Sequence, residues 1–282
     1  MKLRLAAIEF LNAAPLMWGL EQDPDISAFF TVPSACAAAL RDGTADLGVI
    51  PVIELARIPG LAGVRGVGVT ARRQVRSILL ISKVPPARIR SLRLDASSRT
   101  SAALVQILLQ EYWKARFTTA EALPDWRDML RAADAALLIG DPALRLRVSG
   151  EPEREGLSVV DLATVWNQWT GLPFVFALWG VRTAAVADFE RGQPGKDAAW
   201  LVRRLLRSKQ EGIAHREDLV RLWAPRLALP EDEVRRYLEH DVEYDLQTEH
   251  ERGMQLYLDL AARQGLLETP RIPVFLPEAQ PA

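Results

Sequence analysis

Histidine and cysteine are scarce in this chain, with three of the first and one of the second among 282 residues. His215, His240 and His250 all fall in the C-terminal part, where each reads as a surface residue. No Cys/His cluster has zinc spacing, no glycine-rich phosphate loop with its lysine occurs, and no glycine fingerprint follows the first strand. Neither a metal nor a nucleotide cofactor is therefore expected. The lone Cys36 has no intramolecular disulfide partner and sits in the alanine-rich stretch 34–40, where it reads as a buried structural residue of a helix. Neither sign of charge dominates: 35 Lys and Arg oppose 36 Asp and Glu, which gives no electrostatic reason for nucleic acid or an anionic membrane as partner. Any bound anion must be held locally. Long apolar runs are missing too, since no segment approaches the roughly 18 residues needed to span a bilayer. The N-terminus turns acidic at Glu9, before a secretory apolar region of about seven residues can form. Cytoplasm is the expected compartment.

The chain does have a 49% hydrophobic content, ample for well-filled cores. Its first half alternates short β-like runs with helical ones, the pattern of a mostly parallel sheet covered by helices. Residues 3–8 read as a strand, followed by Glu9-Phe10-Leu11-Asn12 and a helix beginning near Pro15. Pro33-Ser34 opens the next helix, Arg41-Asp42-Gly43 closes it, and residues 45–50 form a buried strand ending at Pro51. A strongly apolar strand spans 77–82, and Lys83-Val84-Pro85-Pro86 then breaks regular structure, which places a crossing between lobes there. A second set follows: a strand over 92–95, a polar turn at 97–101, a long amphipathic helix to about Trp113, a helix near 126–132 and a strand over 135–140. The apolar run 172–180 returns the chain to the first lobe. Beyond it, apolar residues recur at three- and four-residue spacing over 197–209 and 231–266, as in helices that cover a globular body. A proline-rich tail from Pro270 packs in extended form or frays. The expected lobes are residues 1–84 with 177–282, and residues 85–176.

Open α/β sheets bind ligands just beyond the carboxyl ends of their strands, so polar residues there are the candidates. Asn12 follows the first strand, as a ligand hydrogen-bonder or as a turn or capping residue. Ser97, Ser98, Thr100 and Ser101 follow the first strand of the second lobe and open a helix, whose positive end favours an anion; serine and threonine also cap helices that bind nothing. Ser77 begins the crossing strand and either faces the cleft or is an ordinary strand serine. Asp141 is either an N-cap or a cleft carboxylate. Thr170 and Gly171 precede the second crossing, where a glycine permits close backbone approach and Phe174 offers a wall for a ring-shaped ligand. Glu9 and Arg76 are the strongest charges nearby, and surface salt bridging accounts for either.

These pieces, in this order, resemble the chorismate dehydratase family of the futalosine route to menaquinone. The likeness rests on Phe10-Leu11-Asn12-Ala13-Ala14-Pro15-Leu16, Val32-Pro33-Ser34, Ala45-Asp46-Leu47-Gly48-Val49-Ile50-Pro51 and Val75-Arg76-Ser77-Ile78-Leu79-Leu80. It continues through residues 82–85, 97–104, 135–141 and 170–176 and the helical tail around Tyr244-Asp245-Leu246, nearly the whole chain. No single piece is specific; their joint order is. Glu9-Phe10 departs from the pattern, since similar proteins more often show serine and tyrosine there, which puts a role for Glu9 in doubt. The resemblance implies an α/β, two-lobed periplasmic-binding-protein-like (type II) fold with a C-terminal helical region, and a lyase that needs no cofactor. It implies chorismate as the small-molecule substrate, Asn12 and Ser77 beside its reacting part, the 97–101 turn on a carboxylate, and Thr170 and Gly171 lining the cleft.

Three rival readings share the fold. The sister enzyme that makes 1,4-dihydroxy-6-naphthoate is expected to place a histidine in the cleft, and the second lobe here has none. A transporter's solute-binding protein is expected to carry an export signal or lipid-anchored cysteine near its start. The ligand-sensing half of a transcription regulator normally follows a helix-turn-helix domain, whereas this sequence starts with a strand. A non-catalytic sensor would share most of these features, because binders and enzymes use one scaffold. Hinge closure around the ligand is expected, with hinge strands near 83–86 and 174–177. The oligomeric state is left open.

Overall fold

The computed structural model describes residues 2–268 and 273–277. Its strands run in chain order: β1 (Leu3–Ile8), β2 (Ile26–Thr31), β3 (Leu47–Pro51), β4 (Leu61–Ala71), β5 (Ile78–Ser82), β6 (Ser91–Asp95), β7 (Thr118–Ala122), β8 (Ala135–Ile139), β9 (Ser158–Asp161) and β10 (Phe174–Arg182). They form two five-stranded sheets, ordered β2-β1-β3-β10-β4 and β7-β6-β8-β5-β9. The two orders are one pattern. In each sheet the strand next to the last runs antiparallel to its neighbours, and it is the strand joined to a crossing segment. Strands β3 and β8 lie inside their sheets and are buried along their full lengths, which is why they read as uninterrupted apolar runs.

The chain leaves the first sheet after Ala71 and enters the second at Ile78. The crossing therefore lies at residues 72–77, not at the prolines of 83–86. Strand β5 pairs with β8 along its whole length and with β9 from Leu79 to Ser82, so the break at Pro85 and Pro86 falls inside the second lobe, after that strand has paired. The return runs through the helix Leu162–Thr170 to β10, which lodges between β3 and β4. Helix Pro33–Asp42 begins with its proline and is closed by Gly43, as its sequence predicts. The segment after β1 differs. It is a 3-10 helix, Leu11–Met17, that starts before Pro15 and contains it. Pro15 lacks the N–H that an α-helical turn would direct to the Leu11 carbonyl, so the segment takes the tighter three-residue step.

Most of the hydrophobic core is continuous between the lobes, while a smaller cluster, including Leu79, Ile81, Leu138 and Met129, fills the outer face of the second sheet. Helices Ala198–Ala214, Arg216–Leu227 and Thr248–Arg263 form the C-terminal region. In helix Pro33–Asp42, Cys36 is buried as read from the sequence, and burial pushes its thiol up to about 12. His250 corrects the surface reading. It is fully buried, accepts the Gln247 N–H at Nδ1 (3.2 Å) and turns Nε2 toward Glu243 (3.2 Å). Residues 273–277 of the tail lie beside Gly63 of β4, while Pro270 lies outside the described residues. Among the described residues, no helix is long and apolar enough to cross a membrane.

Candidate functional site

The carboxyl ends of β1, β3, β6 and β8 point at one another across the two sheets, and a cavity of about 50 Å³ lies between them. Its walls are apolar: Ile8, Phe10, Val69, Ile78, Ile139 and Phe176 line it. Its polar groups come from two places, Asn12 in the turn after β1 and Ser98, Arg99, Thr100 and Ser101 in the turn after β6. Among the described residues, Arg99 is the only charged one at the cavity, and its guanidinium rests on Glu121 at 2.9 Å.

The side chains of Asn12, Ser98, Thr100 and Ser101 have no hydrogen-bond partner among the described residues. The Thr100 hydroxyl is the extreme case, because its oxygen is wholly inaccessible and still unpaired. Buried polar groups are normally paired, so the unpaired Thr100 hydroxyl, beside the accessible Asn12, Ser98 and Ser101 groups of one cavity, points to a ligand that pairs them. Helix Thr100–Ile107 adds its free N–H groups at the same point, with no side chain capping them. The C-terminal helices fix both turns. Ser208 donates to the carbonyls of Leu16 and Trp18 (2.9 and 2.7 Å), and the buried Tyr257 hydroxyl donates to the Thr100 carbonyl at 3.0 Å.

Other expected site residues point elsewhere. Ser97 gives its hydroxyl to Asp95 (2.6 Å), a buried carboxylate that also accepts the Ser97 and Ile139 N–H groups and so shapes the turn. Thr170 donates to the Trp166 carbonyl one turn back (2.8 Å) and accepts the Leu172 N–H, which closes its helix. Gly171 has open space where a side chain would stand, so its φ of +71° and not a close approach is what favours glycine. Neither residue lines the cavity. Phe174 packs edge-on against Trp166 and Tyr257, and Phe176 is the aromatic that reaches the cleft.

Ser77 is fully buried, with its hydroxyl 2.7 Å from that of Tyr237. Asp141 lies in the first turn of helix Gly140–Ser149 but does not cap it. Its carboxylate instead accepts the Leu11 N–H from across the cleft at 3.0 Å. Burial, with a smaller contribution from Glu9, lifts the Asp141 pKa to about 6. Arg76 is buried rather than at the surface, between Glu233 (2.6 Å) and Asp241 (3.2 Å). Glu9 is exposed. No three His, Cys, Asp or Glu side chains among the described residues gather in a way that could hold a metal ion.

Sequence reasoning passed over Arg99 as a site residue, although it sits inside the motif that was read for its hydroxyls. It also passed over Tyr237 and Tyr257, whose only signal was helical spacing more than a hundred residues away. Nothing local marks a tyrosine whose hydroxyl crosses the fold.

Comparison with known proteins bears on the fold and the family. The chain is 28% identical over 282 residues to a chorismate dehydratase of Thermus thermophilus, covering 95% of this chain and 96% of that one. A chorismate dehydratase of Campylobacter jejuni is also 28% identical, over 60% of this chain and 63% of its own length. Among solved structures, the periplasmic aliphatic sulphonate-binding protein of Escherichia coli superimposes with a TM-score of 0.65 at 17% identity, over 100% of this chain and 94% of that one. An Archaeoglobus fulgidus protein reaches 0.69 at 15% identity, over 94% and 98%. These structures carry the fold, two lobes of the periplasmic-binding-protein kind. The model of a family described as menaquinone biosynthesis matches residues 3–263, and the chain belongs to that family.

Proposed function

We propose that this protein is a chorismate dehydratase, a carbon–oxygen lyase that removes water from chorismate to give 3-[(1-carboxyvinyl)oxy]benzoate. The observation that carries the reading is the cavity itself, in which Asn12, Ser98, Ser101 and the buried, unpaired Thr100 line a space with apolar walls and Arg99 beside them. Chorismate matches that mixture, with an unsaturated ring for the walls and two carboxylates for the helix end and the cation. Small-molecule sites are usually built this way, mostly apolar with a few placed polar groups.

The reaction removes a ring proton and the neighbouring hydroxyl, and the ring becomes aromatic, which makes the step strongly downhill. The protein's task is to hold the dianion in place and stabilise charge on the departing hydroxide, work for positioning and fixed hydrogen bonds. Among the protein groups near the cleft, Asp95 and Asp141 are carboxyls whose pKa burial raises, yet Asp95 is engaged with Ser97 and the Ile139 N–H, Asp141 with the Leu11 N–H, and neither lines the cavity. In this reading the substrate's own enolpyruvyl carboxylate takes the ring proton. Asn12 then orients that carboxylate or the leaving hydroxyl.

Chelator-treated protein mixed with chorismate, with products followed by chromatography and mass, tests the reading. A product lighter by one water, formed by the wild type and lost in Asn12→Ala, is the expected result. Binding without turnover would instead make this a carrier or sensor of the same anion.

A further inference from the structure

Tyr237 and Asp241 stand four residues apart on a π-helical turn, Tyr237–Asp241, which places both on one face. That face meets the crossing segment 72–77. Asp241 accepts hydrogen bonds from the Gln74 amide (2.6 Å) and the Arg76 guanidinium (3.2 Å), and Glu233 takes the other end of the guanidinium at 2.6 Å. From the opposite side, Asp161 accepts the backbone N–H groups of Val75 (3.0 Å) and Arg76 (2.6 Å). Held between these carboxylates, Arg76 takes a φ of +59°, a left-handed conformation that residues other than glycine adopt only when their surroundings dictate it. Ser77 follows directly. Its carbonyl accepts the Gly140 N–H at 2.8 Å, and both Gly140 and the next residue, Ile78, line the cavity.

The hydroxyls of Ser77 and Tyr237 are 2.7 Å apart, and neither has another partner among the described residues. Both residues are buried, at 0% and 1% exposure. Two hydroxyls carry two hydrogens and share one bond, so one hydrogen is left over. A phenol is a stronger donor and a weaker acceptor than an aliphatic hydroxyl, which sets the direction of the shared bond; burial raises the Tyr237 pKa well above the usual tyrosine value, so the phenol stays protonated. We propose that Tyr237 donates to Ser77, so that the leftover hydrogen belongs to Ser77 and is offered to an oxygen of the substrate. Tyr237 is then a positioning residue. It turns a hydroxyl that could donate or accept into a fixed donor, ready for the oxygen on which charge grows as hydroxide leaves. The inference rests on the chorismate reading above and on Ser77, which is fully buried behind the cavity-lining Ile78 and Gly140 and does not line the cavity itself, meeting the substrate when it binds.

The test compares Tyr237→Phe, Ser77→Ala and the double variant with chorismate as substrate, alongside melting temperatures. Tyr237→Phe should lower kcat roughly 10- to 100-fold, as loss of a supporting outer partner does, with KM changed less than about threefold. The double variant should be no slower than Ser77→Ala alone, because the two hydroxyls act as one unit. Wild-type kcat in Tyr237→Phe with only a lower melting temperature, or independent losses that multiply, would overturn the proposal. Should Tyr237→Phe fail to fold, 3-fluorotyrosine placed at position 237 is a stronger donor of the same shape and should raise kcat; an unchanged kcat counts against the role. A wild type that never dehydrates chorismate defeats the functional reading first. An active wild type with a fully active Ser77→Ala defeats only this inference.

Discussion

Asp141 joins two roles that oppose each other energetically. Its carboxylate accepts the Leu11 N–H and so ties the second lobe to the turn that carries Asn12, but it does so while buried, and burial lifts its pKa from 3.8 to about 6. Between those two values the folded protein holds more protons than the unfolded chain, so this group's contribution to stability falls as pH rises from about 4 to 6. Asparagine at the same position keeps an oxygen for the Leu11 N–H and carries no charge. Asp141→Asn should therefore gain on the wild type as pH rises through that window, by about 3 kcal/mol in all, and hold the gain at neutral pH. Melting curves collected across the range check this. Parallel curves for the two proteins would mean that the Asp141 pKa is not raised. Thr100 belongs to the same scale. Its unpaired hydroxyl costs stability in the free protein, about 1–3 kcal/mol for a buried group of this kind, and is the sort of cost that a binding site retains.

At the scale of elements, two glycines at helix ends look alike in sequence and do different work. Gly171 closes helix Leu162–Thr170 with open space around it, whereas a side-chain carbon at Gly140 would stand 2.7 Å from the Phe10 ring across the cleft. Gly171→Ala should cost about 1–2 kcal/mol, the strain of a left-handed alanine, and leave KM for chorismate unchanged. Gly140→Ala, with φ +65°, should pay that strain and also push Phe10 into the cavity or part the lobes, raising KM at least roughly tenfold, the equivalent of about 1.4 kcal/mol. Equal kinetics in the two variants would remove Phe10 from the site. The same comparison shows what the sequence made legible. Strand β3, helix Pro33–Asp42 and the polar turn after β6 were readable because apolar runs, a first-turn proline and clustered hydroxyls are local signals. The crossing was placed too late because consecutive prolines are a louder signal than Arg72-Arg73-Gln74-Val75-Arg76-Ser77, whose path is set by Asp161 and Asp241, far along the chain. The partners of Ser97 and Thr170 are not legible in sequence because a hydroxyl does not announce its partner, and theirs are carboxylate and backbone oxygens of their own turns.

Over the whole molecule, the C-terminal helices are the frame of the cleft. Ser208 holds the Asn12 turn, Tyr257 the Thr100 turn and Tyr237 the Ser77 segment, so both lobes are gripped by elements that lie outside the cavity. A cavity of about 50 Å³ is nevertheless far below the roughly 300 Å³ or more typical of small-molecule sites, and Phe10 lies against Gly140 across it. This form is closed too tightly to admit a ring with two carboxylates. We expect entry to part the lobes, breaking the bond from Leu11 to Asp141, and the segments that can absorb the motion are the two joining the sheets, 72–77 and 162–173. Because Arg76 and Ser77 lie in the first of these, opening would also shift the Ser77 hydroxyl, and closure would restore it together with the cavity. A compact chain of this length has a radius of gyration of about 19 Å. Small-angle scattering of the free protein should give a larger value that contracts when chorismate or its dehydrated product saturates the site, and Gly140→Ala should contract less. An identical radius in both states, with ligand demonstrably bound, would show that the substrate enters by side-chain movement around Phe10 and that the lobes do not open.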